Sequence, residues 1–236
     1  MLNADLSDMV KSQLNLPEDG LDALFAEIRD CRVCVDRPIG KPLPHAPRPV
    51  IRGAATARIL IAGQAPGTRV HASGKPFTDP SGDRLRSWMG IDEDTFYDEA
   101  RIAIVPMGFC FPGLDAKGGD LPPRRECAPL WRARVMAELP AVRLVLAVGL
   151  YAQNWHLGGK ARSGLTETVS NWRAILDGGN TPAVIPLPHP SWRNSGWLKR
   201  TPWFEAELLP VLRARVAAEL AGPIDKTTRV DHSSSE

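Results

Sequence analysis

No uncharged apolar run in this chain approaches the roughly 20 residues that a membrane-spanning helix needs, although 43% of its 236 residues are hydrophobic. A membrane partner is therefore not expected. The segment Met1-Leu2-Asn3-Ala4-Asp5 has no basic start followed by an apolar stretch, so no secretory signal is read and the expected location is cytoplasmic. Excess charge is missing too. Twenty-nine Lys and Arg against 27 Asp and Glu leave a net +2, too little to mark or exclude a nucleic-acid partner. There is no internal repeat, which removes solenoids and propellers. There is also no Gly-x-Ser-x-Gly, the nucleophile elbow that a small-molecule α/β hydrolase requires. Cysteine is scarce. Only Cys31, Cys34, Cys110 and Cys127 occur, and in a chain read as cytosolic they are not expected to form disulfides.

What is present suits one sizeable domain. Residues 1–17 read as a flexible polar arm, 18–221 as the domain, and 222–236, Ser-rich at its end, as a disordered tail. Residues 38–49 carry five prolines and describe an extended segment. Leu21, Leu24, Phe25 and Ile28 fall on one face of a helix predicted over 19–30. Short continuous apolar runs predict strands at 58–62, 101–105, 143–148 and 183–187. Helical patterns lie over 82–89, 124–139, 149–156 and 202–221, with Pro202 at a first turn where its missing N–H costs nothing. Strands of this kind alternating with helices indicate an α/β fold, a parallel sheet covered on both faces.

Two strand ends carry the chemistry. Gly63-Gln64-Ala65-Pro66-Gly67 follows the first run and His189-Pro190-Ser191 the last. Such ends present backbone N–H groups and polar side chains to a ligand. A histidine on one lip of a pocket can donate to an oxygen that gains charge in a transition state, and it can do so while neutral. The plain alternative is a structural histidine. Phe77 lies in a Pro-rich turn before a helix, where it either packs inward or offers a stacking face. Asp79 either caps that helix or acts as a general base. Asp83 reads as a first-turn acid favoured by the helix dipole.

Basic residues cluster locally. Arg193, Lys199 and Arg200 follow the histidine motif without an intervening acid, and Arg69, His71 and Lys75 follow the first turn. Phosphate contact or solvated loops would each account for them. Leu198, Trp192 and Trp197 serve either as wedges for a base stack or as core anchors for the last helix, with the wedge preferred at Leu198.

The cysteines form one Cys-x-x-Cys and a second pair separated by sixteen residues. Four thiolates can hold a tetrahedral zinc or a cubane iron–sulfur cluster, and spacing alone does not choose. Four unrelated buried thiols are the alternative.

Together these residues resemble the uracil-DNA glycosylase superfamily. Residues 63–67 look like its first active-site motif, His189-Pro190-Ser191 like its second, and Gly74-Lys75-Pro76-Phe77 ahead of Ser81-Gly82-Asp83-Arg84-Leu85 like the segment with its base-stacking Phe. The four cysteines are similar to those of families 4 and 5, which hold a [4Fe–4S] cluster. The resemblance runs from about Cys31 to Leu220. It implies a three-layer α/β/α sandwich on a central four-stranded parallel sheet, acting as a monomer on uracil-containing DNA. It further implies base contacts from Gly63, Gln64, Ala65, Gly67 and Ser191, stacking by Phe77, and stabilisation of the departing base by His189. Asp79 or Asp83 would position water or stabilise the sugar cation. A DNA surface would be built from Arg193, Asn194, Leu198, Lys199 and Arg200, and a structural cluster on Cys31, Cys34, Cys110 and Cys127, with zinc the alternative.

Two departures qualify that implication. Ala65 stands where the best-known branch has a water-activating Asp, as in the family 5 pattern, and Pro106 stands where related branches often place a base-reading Asn. Glycosidic cleavage tolerates the first, because bond breaking can precede attack. For the second, His71, Asn194 or the backbone of 107–109 are the available substitutes. Uracil is the expected base and hypoxanthine the alternative. The rival function is a module that binds uracil-containing or abasic DNA with little turnover. No Lys is placed for a Schiff base, so strand cleavage is not expected.

Overall fold

A computed structural model describes residues 20–158 and 164–222; the predicted arm at 1–17 and all but the first residue of the predicted tail lie outside them. The four apolar runs become strands β1 (Ile59–Ala62), β2 (Ile102–Ile104), β3 (Leu144–Val148) and β4 (Ala183–Leu187). They form one parallel sheet in the order β2-β1-β3-β4, with Ile59 opposite both Ile102 and Leu144, and Leu144 opposite Ala183.

Side-chain alternation explains why the runs are continuously apolar. Leu60 and Ala62 join Ala103, Val105, Val145, Ala147 and Val184 in one core. Ile59 and Ile61 join Ile102, Ile104, Leu144, Leu146, Ile185 and Leu187 in the other. Each fully buried Leu, Ile or Val here contributes roughly 1.5–3 kcal/mol relative to exposure.

Helices cover both faces: α1 (Gly20–Arg29), α2 (Val33–Asp36), α3 (Thr68–Ser73), α4 (Pro80–Met89), α5 (Glu93–Phe96), α6 (Cys127–Ala137), α7 (Leu150–Leu157), α8 (Leu165–Ser170), α9 (Trp172–Asp177), α10 (Ser195–Arg200) and α11 (Leu209–Ala221). The first core is closed by α1, α6 and α7, the second by α4 and α11. The result is the expected α/β/α sandwich.

Two helices depart from their predicted bounds because of proline. Pro129 confines α6 to a start at Cys127, where a missing N–H falls in the first turn. The helix predicted over 202–221 is interrupted by a π turn at Phe204–Leu208, in which the Leu209 N–H donates to the Phe204 carbonyl five residues back. That wider turn absorbs Pro210. Two fastenings hold the end of α11 against the sheet. Arg58, just before β1, pairs with Glu219 at 2.7 Å, and Arg101, just before β2, donates to the Leu220 carbonyl.

Candidate active site

Both predicted motifs meet at the C-terminal edge of the sheet. Gly63, Gln64, Ala65, Pro66 and Gly67 line a pocket with Val50, Val70, Pro76, Phe77, Pro106 and His189. The turn is held from the β2 side: Met107 N–H donates to the Gly63 carbonyl and Gly108 N–H to the Gln64 carbonyl, both at 2.9 Å. Phe77 Cζ stands 3.7 Å from where a Cβ on Gly63 would be. Its backbone has φ +56°, the one described non-glycine residue in the left-handed region, a conformation costing about 1–2 kcal/mol. Tyr97 Oη holds it by donating to the Pro76 carbonyl at 2.6 Å and the Phe77 carbonyl at 3.3 Å. Residue 82 has to be glycine, since a Cβ there would lie 1.9 Å from the Phe77 oxygen.

His189 follows β4 and is half-buried. Its Nδ1 accepts the Ser191 N–H at 3.2 Å, so in the neutral ring the proton sits on Nε2, which remains the free donor. Burial pushes its pKa below the ordinary value, opposed by the negative charges of Asp79 and Asp120. The imidazole is therefore neutral at physiological pH.

A second, wider opening adjoins the pocket, lined by Pro80, Leu121, Ser191, Trp192 and Arg193. Six residues belong to both: Gln64, Ala65, Asp79, Ser81, Asp120 and His189. They form a neck between an inner chamber and an outer mouth. Asp79 acts as the expected cap, with Oδ1 accepting the Ser81 and Gly82 N–H groups at 3.0 and 3.3 Å, and it faces the neck as well. Asp83 does not. Its carboxylate is 74% exposed and pairs with Arg86, so the catalytic reading of Asp83 is set aside. Asp120 was missed in the sequence because it sits mid-loop beside Gly118 and Gly119, without a flanking motif.

The segment after the histidine is braced rather than loose. Asn194 Nδ2 donates to the His189 carbonyl at 2.7 Å, the Ser191 hydroxyl accepts the Arg193 N–H, and Arg84 donates to the Ser191 carbonyl at 3.0 Å. Leu198 is half-buried against the second core, and Trp197 packs there too while donating to Thr166 Oγ1 at 2.8 Å. This packing favours the anchor reading of Leu198 over the wedge. Trp192 is 76% exposed at the mouth, with the Arg193 guanidinium 5.8 Å from its ring centre. Lys199 and Arg200 are exposed and form no ion pair among the described residues.

A family model, the uracil DNA glycosylase superfamily, matches residues 50–213. The chain belongs to that superfamily. It is accordingly a DNA glycosylase of the uracil-DNA glycosylase kind, a hydrolase of DNA repair that acts on DNA, and no helix among the described residues is long and apolar enough to cross a membrane.

In this glycosylase the substitutes expected for an amide at position 106 are all engaged elsewhere. His71 packs its ring on His45, centroids 4.2 Å apart, and near Phe111, and it does not line the pocket. The N–H groups of Met107 and Gly108 hold the first turn, and that of Phe109 donates to Cys127 Sγ at 3.4 Å. The Asn194 amide braces His189. Among the described pocket residues, the Gln64 side chain is the remaining amide.

In the glycosylase all four cysteines border a second cavity, on the α1 and α6 side of the sheet. Cys31, Cys34, Cys110 and Cys127 line one largely apolar cavity with Ile28, Phe109 and Trp131. Burial pushes the Cys110 thiol up to about 12 and raises Cys127 and Cys34 as well. The Pro-rich segment is stitched to this cavity: Leu43 N–H donates to the Cys34 carbonyl at 3.0 Å, and Arg124 bonds both the Lys41 carbonyl and the nearly buried Glu126, each at 2.8 Å.

Proposed function

We propose that the protein is a monofunctional uracil-DNA glycosylase, cytoplasmic and monomeric, that hydrolyses the bond between deoxyribose C1′ and N1 of an everted uracil and leaves an abasic site. The observation that carries this reading is the neutral His189 at the neck, its Nδ1 already taken and its Nε2–H free. A base enters the inner chamber and stacks on Phe77, a contact worth roughly 1–3 kcal/mol. Gln64 reads its polar edge in place of the amide absent at 106. As the glycosidic electron pair moves onto the base, the Nε2–H hydrogen-bonds to O2, a stabilisation whose loss in comparable sites costs about 10²–10³-fold. The Asp79 carboxylate faces the sugar, where positive charge grows.

Eversion costs a few kcal/mol. Trp192 is the exposed side chain that would fill the vacated stack, and Arg193, Lys199 and Arg200 would meet the phosphates. No lysine lines the chamber or the mouth among the described residues, which supports water rather than an amine as nucleophile.

The cysteine cavity fits a [4Fe–4S] cluster on Cys31, Cys34, Cys110 and Cys127. All four cysteines line that one largely apolar cavity, and the resemblance of their pattern to families 4 and 5 supports the cluster. A cubane takes each sulfur on a different iron, whereas zinc needs all four at about 2.3 Å from one centre. Bound there, the cluster would supply cross-linking, not chemistry at the neck.

Single-turnover cleavage of a uracil-containing oligonucleotide tests the reading, wild type against His189→Ala. Release of uracil that falls by about 10²-fold or more in the variant supports it. Tight binding with no free uracil would instead make the protein a binding module. Pro106 favours one second reading, release of hypoxanthine, and the same oligonucleotide carrying that base decides between them.

A further inference from the structure

Ala65 leaves the first motif without a carboxylate, so the group that manages the attacking water has to come from elsewhere in the neck. Of the six neck residues, three can act on a proton: Asp79, Asp120 and His189. His189 holds its proton on Nε2 and faces the leaving base. Asp79 has its Oδ1 held by the Ser81 and Gly82 N–H groups and by the Ser81 hydroxyl, so that oxygen is committed to capping the helix.

Asp120 differs on each count. Its carboxylate takes no hydrogen bond and no ion pair among the described residues. Oδ2 stands 3.4 Å from where a Cβ on Gly67 would be, directly over the first motif. It is delivered by a separate hairpin, in which Leu114 bridges Asp120, Leu121 N–H donates to the Gly113 carbonyl at 2.9 Å, and Asp115 Oδ1 accepts the Lys117 and Gly119 N–H groups at 2.8 Å. The tip is therefore built, not slack. Partial burial raises the Asp120 pKa, opposed by Arg193 and His189 and reinforced by Asp79 and Asp115.

We propose that Asp120 is the catalytic residue that holds and deprotonates the attacking water. This rests on the glycosylase reading above. With the base in the chamber and the duplex against the mouth, as the glycosylase reading has it, C1′ of the everted nucleotide falls at the neck. In the step, the C1′–N1 bond breaks with its electron pair going to the base, and the water oxygen bonds to C1′. The water proton passes to the Asp120 carboxylate and from there to solvent. No other reactant is needed.

The experiment is single-turnover cleavage of a uracil-containing duplex from pH 4.5 to 9 by wild type, Asp120→Asn, Asp120→Ala and Asp79→Asn, with fluorescence anisotropy on an abasic-site duplex alongside. Asp120→Asn should lower the rate at pH 7.5 by about 10²–10³-fold, leave abasic-site binding within about threefold, and erase the rise in rate with pH that the wild type shows as Asp120 ionises. Asp79→Asn should keep that rise, since the titrating group is still present. The titratable and charged groups facing Asp120 are Arg193 and His189 after β4, Asp79 at α4 and Asp115 in its own hairpin; His189→Ala with the acid limb intact assigns the limb away from the imidazole. An Asp120→Asn rate within threefold of wild type, or an unchanged acid limb, overturns the proposal while leaving the glycosylase reading in place. Wild type that releases no base from any duplex overturns both. Asp120 is exposed on its hairpin, so an unchanged melting temperature is expected for both Asp120 variants.

Discussion

Arg132, fully buried, donates through Nη2 to His156 Nε2 at 2.6 Å and through Nη1 to the carbonyls of Val105 and Pro106 at 2.6 and 3.3 Å. Arginine has no acceptor, so His156 accepts and is neutral. Pro106 lines the base chamber, and this guanidinium is the post beneath its floor. No carboxylate pairs with it among the described residues. Arg132→Leu should lower unfolding free energy by about 2–4 kcal/mol, because three buried acceptors lose their donor. Urea denaturation measures that, and cleavage should fall with it as the floor shifts.

The same pair sets an acid limit on stability. Burial and the Arg132 charge push His156 down to about 3, against roughly 6.5 in the unfolded chain. Between those values the unfolded state binds a proton that the folded state does not, so stability falls as pH drops below about 6.5. His156 alone should cost about 2 kcal/mol by pH 5, and His189, shifted in the same direction, adds to it. Urea midpoints at pH 7 and pH 5 should differ accordingly. In His156→Gln the difference should shrink, whatever the variant's stability at pH 7.

Gly82→Ala puts a methyl on the Phe77 carbonyl, and that overpacking should destabilise by about 1–3 kcal/mol. The stacking ring has to move. A shift on the order of 1 Å is expected to reduce single-turnover cleavage by about 10²-fold. Rates equal to wild type would mean that Phe77 does not set the position of the base.

Trp192→Ala and Leu198→Ala separate the two wedge candidates. Trp192→Ala should leave the melting temperature unchanged and weaken binding to a uracil-containing duplex by about 10–100-fold, the loss of one stacking contact. Leu198→Ala should do the reverse, costing roughly 1–2 kcal/mol of stability through lost packing with binding nearly intact.

Cys31→Ser and Cys127→Ser should each lose iron, visible absorbance and thermal stability together. Metal analysis of anaerobically prepared wild type should return about four irons per chain. One zinc and no iron would replace the cluster with a single ion.

Much of this arrangement was legible in the sequence because it rests on local signals. The four apolar runs gave the strands, and a strand ending in Gly-x-x-Pro-Gly or His-Pro-Ser gave the two lips. Helices α2, α3, α5, α8, α9 and α10 were not read, being four to six residues long, too short to show a helical period. Burial of the segment after the histidine was equally hidden: Leu198 and Trp192 look alike in a string, and only packing against the second core separates anchor from exposed ring. Asp120 shows the same limit. Nothing local distinguishes it from Asp115, and it reaches the neck through a hairpin whose closure is a tertiary fact.

The clasp at Glu219 and Leu220 sets where the folding unit stops. Arg58 and Arg101 stand at the roots of the two neighbouring strands, and both reach for the last turn of the closing helix. Trimming the gene to the family boundary at residue 213 would leave Arg58 without its carboxylate and Arg101 without the Leu220 carbonyl, and unzip the helix from its foot. The shortest fragment expected to fold as one piece therefore runs past Leu220.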